Sequence, residues 1–184
     1  MKGFIALCLV LLAAGCASTG GTYEAPAPQW VRERAPRWVR ERPPRGAIWG
    51  IGAARSALGV AALPLARNRG RMGIARQLDA LVRETLRGYA AGQGGETLDG
   101  LAERTGRRII AMNIPHVLPL TVWNGPDGRW WCRMTLRTEE ARAVIMEVLD
   151  AETAEIPGFD RAAFQSLLTR RLARRASRPP VIDS

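Results

Sequence analysis

Ala47-Ile48-Trp49-Gly50-Ile51-Gly52-Ala53 is an apolar run of strand length in which two glycines stand one residue apart. Alternate residues of a strand face the same side of a sheet, so Gly50 and Gly52 leave one face without side chains. One use of such glycines is the dinucleotide fingerprint. Its third glycine would fall at Arg55, and no acid stands at the spacing a ribose contact needs, so that reading is rejected. The glycines instead predict that a helix or another backbone approaches the strand closely.

The helix to fill that role follows at once. From Leu65 to Ala91, Ile74, Leu78, Leu81, Val82, Thr85 and Tyr89 recur at spacings of three and four and share one face. Gly70 and Gly73 lie near that face, and their cost in helix propensity predicts close packing against a sheet. Arg67, Arg69, Arg71, Arg76, Arg83 and Arg87 spread over the other sides as a solvated surface. Pro64 suits the first turn, and Gly92, Gly94 and Gly95 end the helix.

Beyond it, Glu96 to Thr105 reads as a second helix or a turn, and Arg107 to Met112 as a strand or that helix's tail. Val117 to Trp123 and Arg129 to Arg137 form an antiparallel hairpin across Asn124-Gly125-Pro126-Asp127-Gly128. On the second strand Trp130, Cys132, Met134 and Leu136 face one way, and Trp131, Arg133 and Thr135 the other. Thr138 is expected to cap a helix with Glu139 and Glu140 in its first turn and Val144, Ile145, Val148 and Leu149 on its apolar face. After Pro157-Gly158 comes a last helix. Asp160 is its expected N-cap, Phe159 and Phe164 its hydrophobic staple, and Phe164, Leu167, Leu168 and Leu172 its apolar stripe.

The start of the chain is of another kind. Met1-Lys2 precedes an apolar run from Phe4, too short to span a bilayer, which ends in Leu12-Ala13-Ala14-Gly15-Cys16. A cysteine directly after small residues resembles a bacterial lipobox, in which the thiol receives a diacylglycerol and becomes the first mature residue. Leu12 stands one position further back than the usual lipobox leucine, with Ala13 in its place. An ordinary secretory cleavage near Ala14 or Ala17 is the competing reading. Ala17 after the cysteine, where aspartate would retain a lipoprotein at the inner membrane, favours the outer membrane. From Ala17 to Arg45 the chain is a tether rich in proline, with two copies of Trp-Val-Arg-Glu-Arg at Trp30 and Trp38. It cannot bury a core of its own. Its tryptophans are read either as docking on the folded domain or lipid head groups, or as a locally packed spacer.

The expected organisation is therefore a signal over 1–15, a lipidated Cys16 with its tether over 16–45, an α+β domain over 46–150, and a basic amphipathic helix and tail over 151–184. Of the 27 basic residues only Lys2 is a lysine, so 26 arginines against 17 acids remain after cleavage, a formal charge of +9. That excess favours anionic partners such as lipid head groups, lipopolysaccharide or peptidoglycan. A secreted chain with no nucleic-acid module makes nucleic acid the least favoured partner. Arg170, Arg171, Arg174, Arg175 and Arg178 crowd the last helix beyond what its dipole calls for and are the candidate anion-binding residues.

A lipobox, a Pro/Trp tether, the Trp49-Gly50-Ile51-Gly52-Ala53-Ala54 strand, the Leu65-Ala66-Arg67 to Gln77-Leu78 helix and the hairpin around Asp127-Gly128 together resemble the LPP-twenty family of outer-membrane lipoproteins. The resemblance covers roughly 38–137. It implies a small α+β domain: a short antiparallel sheet packed on one long helix, here with additional C-terminal helices. It also implies no catalytic site, and relatives include factors of flagellar assembly. The stretch from Gly92 to Gly106 and the C-terminal segment exceed a minimal domain of that kind.

Little in the sequence suggests chemistry. His116 is the lone histidine, no Gly-x-Ser-x-Gly elbow is present, and no metal-ligand spacing occurs. Cys132, on the apolar side of its strand, reads as a small buried hydrophobe. The expectation is a non-enzymatic, lipid-anchored envelope protein without cofactor, binding or scaffolding in the periplasm. A flagellar or envelope assembly factor with a specific protein partner, or an unrecognised periplasmic enzyme, is the alternative.

Overall fold

A computed structural model describes residues 38, 46–93, 98–154, 156–176 and 181–183. The expected signal over 1–15, Cys16, Arg178 and the expected tether other than Trp38 lie outside the described residues. Strand β1 (Ala47–Arg55) runs along the middle of the sheet. A 3-10 segment (Ser56–Ala61) leads into helix α1 (Ala62–Gln93), then α2 (Leu98–Ala111). Strands β2 (Leu118–Asn124) and β3 (Arg129–Arg137) form the hairpin, and α3 (Thr138–Thr153), α4 (Arg161–Arg175) and a short β4 (Val181–Asp183) follow. The order in the sheet is β2-β3-β1-β4. Its three long strands are antiparallel, with β1 and β3 paired in full from Ala47↔Arg137 to Arg55↔Arg129. A long helix lies on that sheet, so the fold is α+β, as expected.

The Gly-x-Gly run explains how α1 meets the sheet. A β-carbon added at Gly50 would lie 2.0 Å from the Gly70 carbonyl oxygen, and one at Gly52 would lie 2.1 Å from that of Ala66. The strand and helix backbones therefore touch, and only glycine fits between them. On the same sheet face Ile48, Ala54, Cys132, Met134 and Leu136 join Ile74, Leu78, Val82 and Leu86 of α1 in the main core. Every residue expected on the inner face of α1, from Ile74 to Tyr89, is buried.

Two side chains of α1 complete the free edge of β1. Gln77 Nε2 donates to the Trp49 carbonyl at 2.8 Å and to that of Gly73 at 3.1 Å. Arg69 Nη1 donates to the Ala53 carbonyl at 2.5 Å. Between these two points β4 pairs in parallel with Gly50–Gly52. No local signal announces β4, because three residues are too few to show alternation. Replacing Gln77 with leucine would leave a buried carbonyl unpaired, at a cost of about 1–3 kcal/mol. Urea denaturation should show it as a lower midpoint with an unchanged slope.

One open sequence reading is resolved in favour of the helix tail, and one expectation changes. The segment after Thr105 continues as helix to Ala111, because Gly106 lets α2 approach α1 beside Asp79, and Ile109 reaches the core. Arg104 and Arg108 then reach Glu152 of α3, each at 3.2 Å. Thr138 is not the cap of α3. Arg137 holds that position, with Glu140 Oε2 accepting from its backbone N–H at 3.1 Å. Thr138 is already in the first turn, and its hydroxyl donates to the Gly46 carbonyl, tying α3 to the start of β1. Burial alone would raise the Glu140 pKa, but these contacts with Arg137 outweigh it and hold the carboxyl below its usual range.

Helix α4 forms as its sequence predicts. Asp160 Oδ1 accepts from the Ala163 N–H at 2.9 Å, and the Phe159 and Phe164 rings pack 5.8 Å apart. Tyr89 of α1 joins them, 5.0 Å from Phe159, and its hydroxyl accepts from the Asp160 N–H at 2.7 Å. Phe164, Leu168 and Leu172 are buried in the main core, so the basic helix packs on the body of the fold. Arg161 holds the Asp150 carboxyl below its usual range through paired bonds of 2.7 Å. That contribution is present above the ordinary aspartate range and fades as pH falls through the lowered value. The pair is exposed, so the effect is small.

Candidate functional site

The candidate anion-binding arginines divide by position. Arg171 turns inward, with its side chain 16% exposed, and forms an ion pair with Glu84 of α1. It also lies over Gly88, where an added β-carbon would meet its Nη2 at 2.6 Å. Its position makes it a clasp between α4 and α1. Arg174 and Arg175 join it with Leu81 and Glu84 around a cleft of about 50 Å³, too small for more than a water-sized guest. Arg170 and Arg174 are exposed, and among the described residues the guanidinium of Arg170 reaches only Ser166 Oγ on its own helix, at 2.9 Å. The structure therefore gathers Arg171, Arg174 and Arg175 around Glu84, with Arg174 at the exposed rim of that cleft, and leaves Arg170 facing outward. Arg178 lies outside the described residues.

The sheet face opposite α1 carries a second, aromatic cluster. Ile51, Ala53 and Trp131 are buried there, with Trp123 and Trp38 packed against them. The Arg133 guanidinium lies 3.9 Å from the Trp49 ring centroid and 5.3 Å from that of Trp38. A guanidinium stacked against two indoles is a cation–π contact of the favourable kind. Asp127 fixes the neighbouring indole: Trp131 Nε1 donates to its carboxylate at 3.3 Å. Trp38 of the tether's second repeat thus docks on the folded domain, one of the two roles its sequence allows. Trp30 of the first repeat lies outside the described residues.

His116 and Cys132, the two candidate chemical groups, sit apart. His116 is exposed in the loop before β2, with a φ of 61°. Cys132 is buried against Met134, and burial raises its thiol pKa while Arg67 opposes the rise. The thiol therefore stays protonated and packed. Among the described residues no three histidine, cysteine, aspartate or glutamate side chains group to hold a metal ion. No described helix is long and apolar enough to cross a membrane. What the arrangement offers is surface: exposed arginines, an aromatic sheet face, and an edge strand, β2, with Leu118 and Leu120 exposed.

Compared with protein-family models, with curated proteins and with solved structures, the chain matches none. Its class is accordingly a structural one: an α+β domain with a four-stranded sheet, one long helix laid on it, and a basic helix clasped to that helix.

Proposed function

We propose that this chain is a lipid-anchored lipoprotein of the cell envelope, held through Cys16 in the outer membrane and facing the periplasm. It works there as a non-enzymatic binding or scaffolding module of the LPP-twenty kind, its arginines directed at an anionic envelope polymer, peptidoglycan or lipopolysaccharide. The observation that carries the reading is Leu12-Ala13-Ala14-Gly15-Cys16 followed by a proline-rich tether and then a packed domain. With Trp38 docked on the sheet, about 21 residues separate it from Cys16, enough for roughly 65 Å if extended as polyproline II. That is reach across part of an envelope, not contact with one fixed depth. The exposed Leu118 and Leu120 of the edge strand favour a second reading, an assembly factor that engages a protein partner along β2, as a flagellar or envelope assembly would require.

Sedimentation with isolated peptidoglycan and with lipopolysaccharide separates these readings. The chain carrying Cys16→Ser is used, so that no lipid contributes. Retention on one polymer at physiological salt is expected, with a loss of about fivefold for each of Arg170→Ala and Arg174→Ala. Retention on every polyanion at low salt and on none at physiological salt would mean that the charge is generic. The protein-partner reading would then take its place.

A further inference from the structure

Three arginines from three elements converge at the far end of β1. Arg55 closes the strand, Arg129 opens β3 directly opposite it in the ladder, and Arg69 reaches over from α1. With Ala53, Ala54 and Leu58 they line a cleft of about 270 Å³. Like charges opposite each other in an antiparallel pair are destabilising. The nearby carboxylate is that of Asp127, 4.0 Å from Arg129 Nε and also engaged by the indole of Trp131. Arg55 has no acidic partner among the described residues. The fold thus holds a cationic concavity that an anion would relieve.

Beside the cleft the chain exposes aliphatic side chains. In the 3-10 segment Leu58 is 50% exposed and Val60 98%. Between them Gly59 adopts φ 58° and ψ −131°, a conformation open essentially to glycine alone. An added β-carbon there would meet nothing within 4 Å, so the glycine serves the shape of the loop and not a close contact. The loop's base is fixed: the Ser56 N–H donates to the Gly128 carbonyl at 2.7 Å, and its hydroxyl to Asn124 Oδ1 at 3.2 Å. A firmly held loop that presents two aliphatic side chains beside an arginine-lined cleft pairs the two components of interfacial binding, apolar insertion and attraction to anionic head groups.

We propose that this end of the molecule docks on an anionic lipid bilayer, with Leu58 and Val60 entering the interface and Arg55, Arg69 and Arg129 holding a phosphate head group. Charge complementarity selects that occupant: a protein groove would need only the aliphatic pair, and a soluble polyanion only the arginines. The docking needs neither a lipid at Cys16 nor the arginines of α4, so it can fail while the envelope reading stands, and the reverse. A bilayer contact here turns the sheet end-on to the membrane and leaves α4 and β2 free to face other partners.

Site-resolved fluorescence tests it. The full chain carries Cys8→Ala and Cys16→Ser, and Val60→Cys is labelled with an NBD fluorophore, buried Cys132 being shielded from the label. With phosphatidylcholine vesicles containing phosphatidylglycerol, the emission at position 60 shifts to the blue and rises; with phosphatidylcholine alone it does not. Arg55→Ala combined with Arg129→Ala lowers the partition by about 25-fold, about fivefold per arginine. No shift with anionic vesicles, an equal shift with both vesicle types, or the same shift with soluble polyphosphate would overturn the proposal. The comparison between vesicle types needs no charge variant, so it decides even if the double variant does not fold.

Discussion

Gly52→Ala is expected to abolish the native fold. The new β-carbon would stand 2.1 Å from the Ala66 carbonyl oxygen, 2.3 Å from the Gly70 nitrogen and 2.8 Å from the Arg69 β-carbon. Two of these atoms are helix backbone, which cannot rotate away, so α1 must lift from the sheet along the contact. Overpacking that side chains can absorb costs about 1–3 kcal/mol. Separating backbones opens the main core and should cost more than about 4 kcal/mol, most of the stability of a domain this size. Gly50→Ala should be as severe, with the Gly70 oxygen at 2.0 Å. Gly70→Ala is the instructive contrast. Its nearest obstacle is Met134 Cγ at 2.6 Å, part of a flexible side chain, and the nearest backbone atoms of β1 stand off at 3.3 and 3.4 Å. That change should cost about 1–3 kcal/mol, and pairing it with Met134→Ala should show favourable coupling. Urea denaturation followed by circular dichroism measures all three. A Gly52→Ala protein with a midpoint close to the parent's would mean that the strand and helix do not touch.

Phe164→Ala should be the most damaging change to a single side chain outside that contact. The ring is fully buried, lies 5.8 Å from Phe159 and 6.4 Å from Tyr89, and forms half of the staple that starts α4. Phenylalanine-to-alanine changes in cores cost about 3–5 kcal/mol. Here the loss falls on the one helix that carries the exposed Arg170 and Arg174, so the expected effect is both lower stability and earlier proteolysis within α4. Tyr89→Phe keeps the ring and removes only the hydroxyl that accepts from the Asp160 N–H; about 1 kcal/mol is expected. Thermal denaturation with limited proteolysis separates the two. Loss of under 1 kcal/mol in Phe164→Ala, with α4 still protected, would show that the helix is held by other contacts.

The elements legible in the sequence were those whose signal is local. Asp160 with Phe159 and Phe164 announced α4, Asn124 to Gly128 announced the hairpin, and the spacing from Ile74 to Tyr89 announced α1 and its buried face. Gly50 and Gly52 announced a close approach, and with Gly70 and Gly73 in the helix even its partner could be named. The end of α2 stayed open between a strand and the helix tail, because nothing local shows that Gly106 serves the close approach to Asp79. Arg137 displaced Thr138 as the cap because Thr138 was drawn to Gly46, 92 residues away. The pairing of β4 with β1, the clasp of Arg171 on Glu84 and the convergence of Arg55, Arg69 and Arg129 are all long-range. Nothing in a run of neighbouring residues signals them. The arginine count was visible as composition, but which arginines clasp and which face outward depends on how the helices cross.

The central claim is that this fold hangs from a lipid at Cys16. The direct measurement is to express the full chain in a bacterium fed an alkyne-bearing fatty acid and to separate membranes from soluble protein. The account predicts a labelled protein in the outer-membrane fraction, and a Cys16→Ser protein that is unlabelled and no longer held there. A wild-type chain that is unlabelled and soluble, or a Cys16→Ser chain that keeps both label and location, would contradict it.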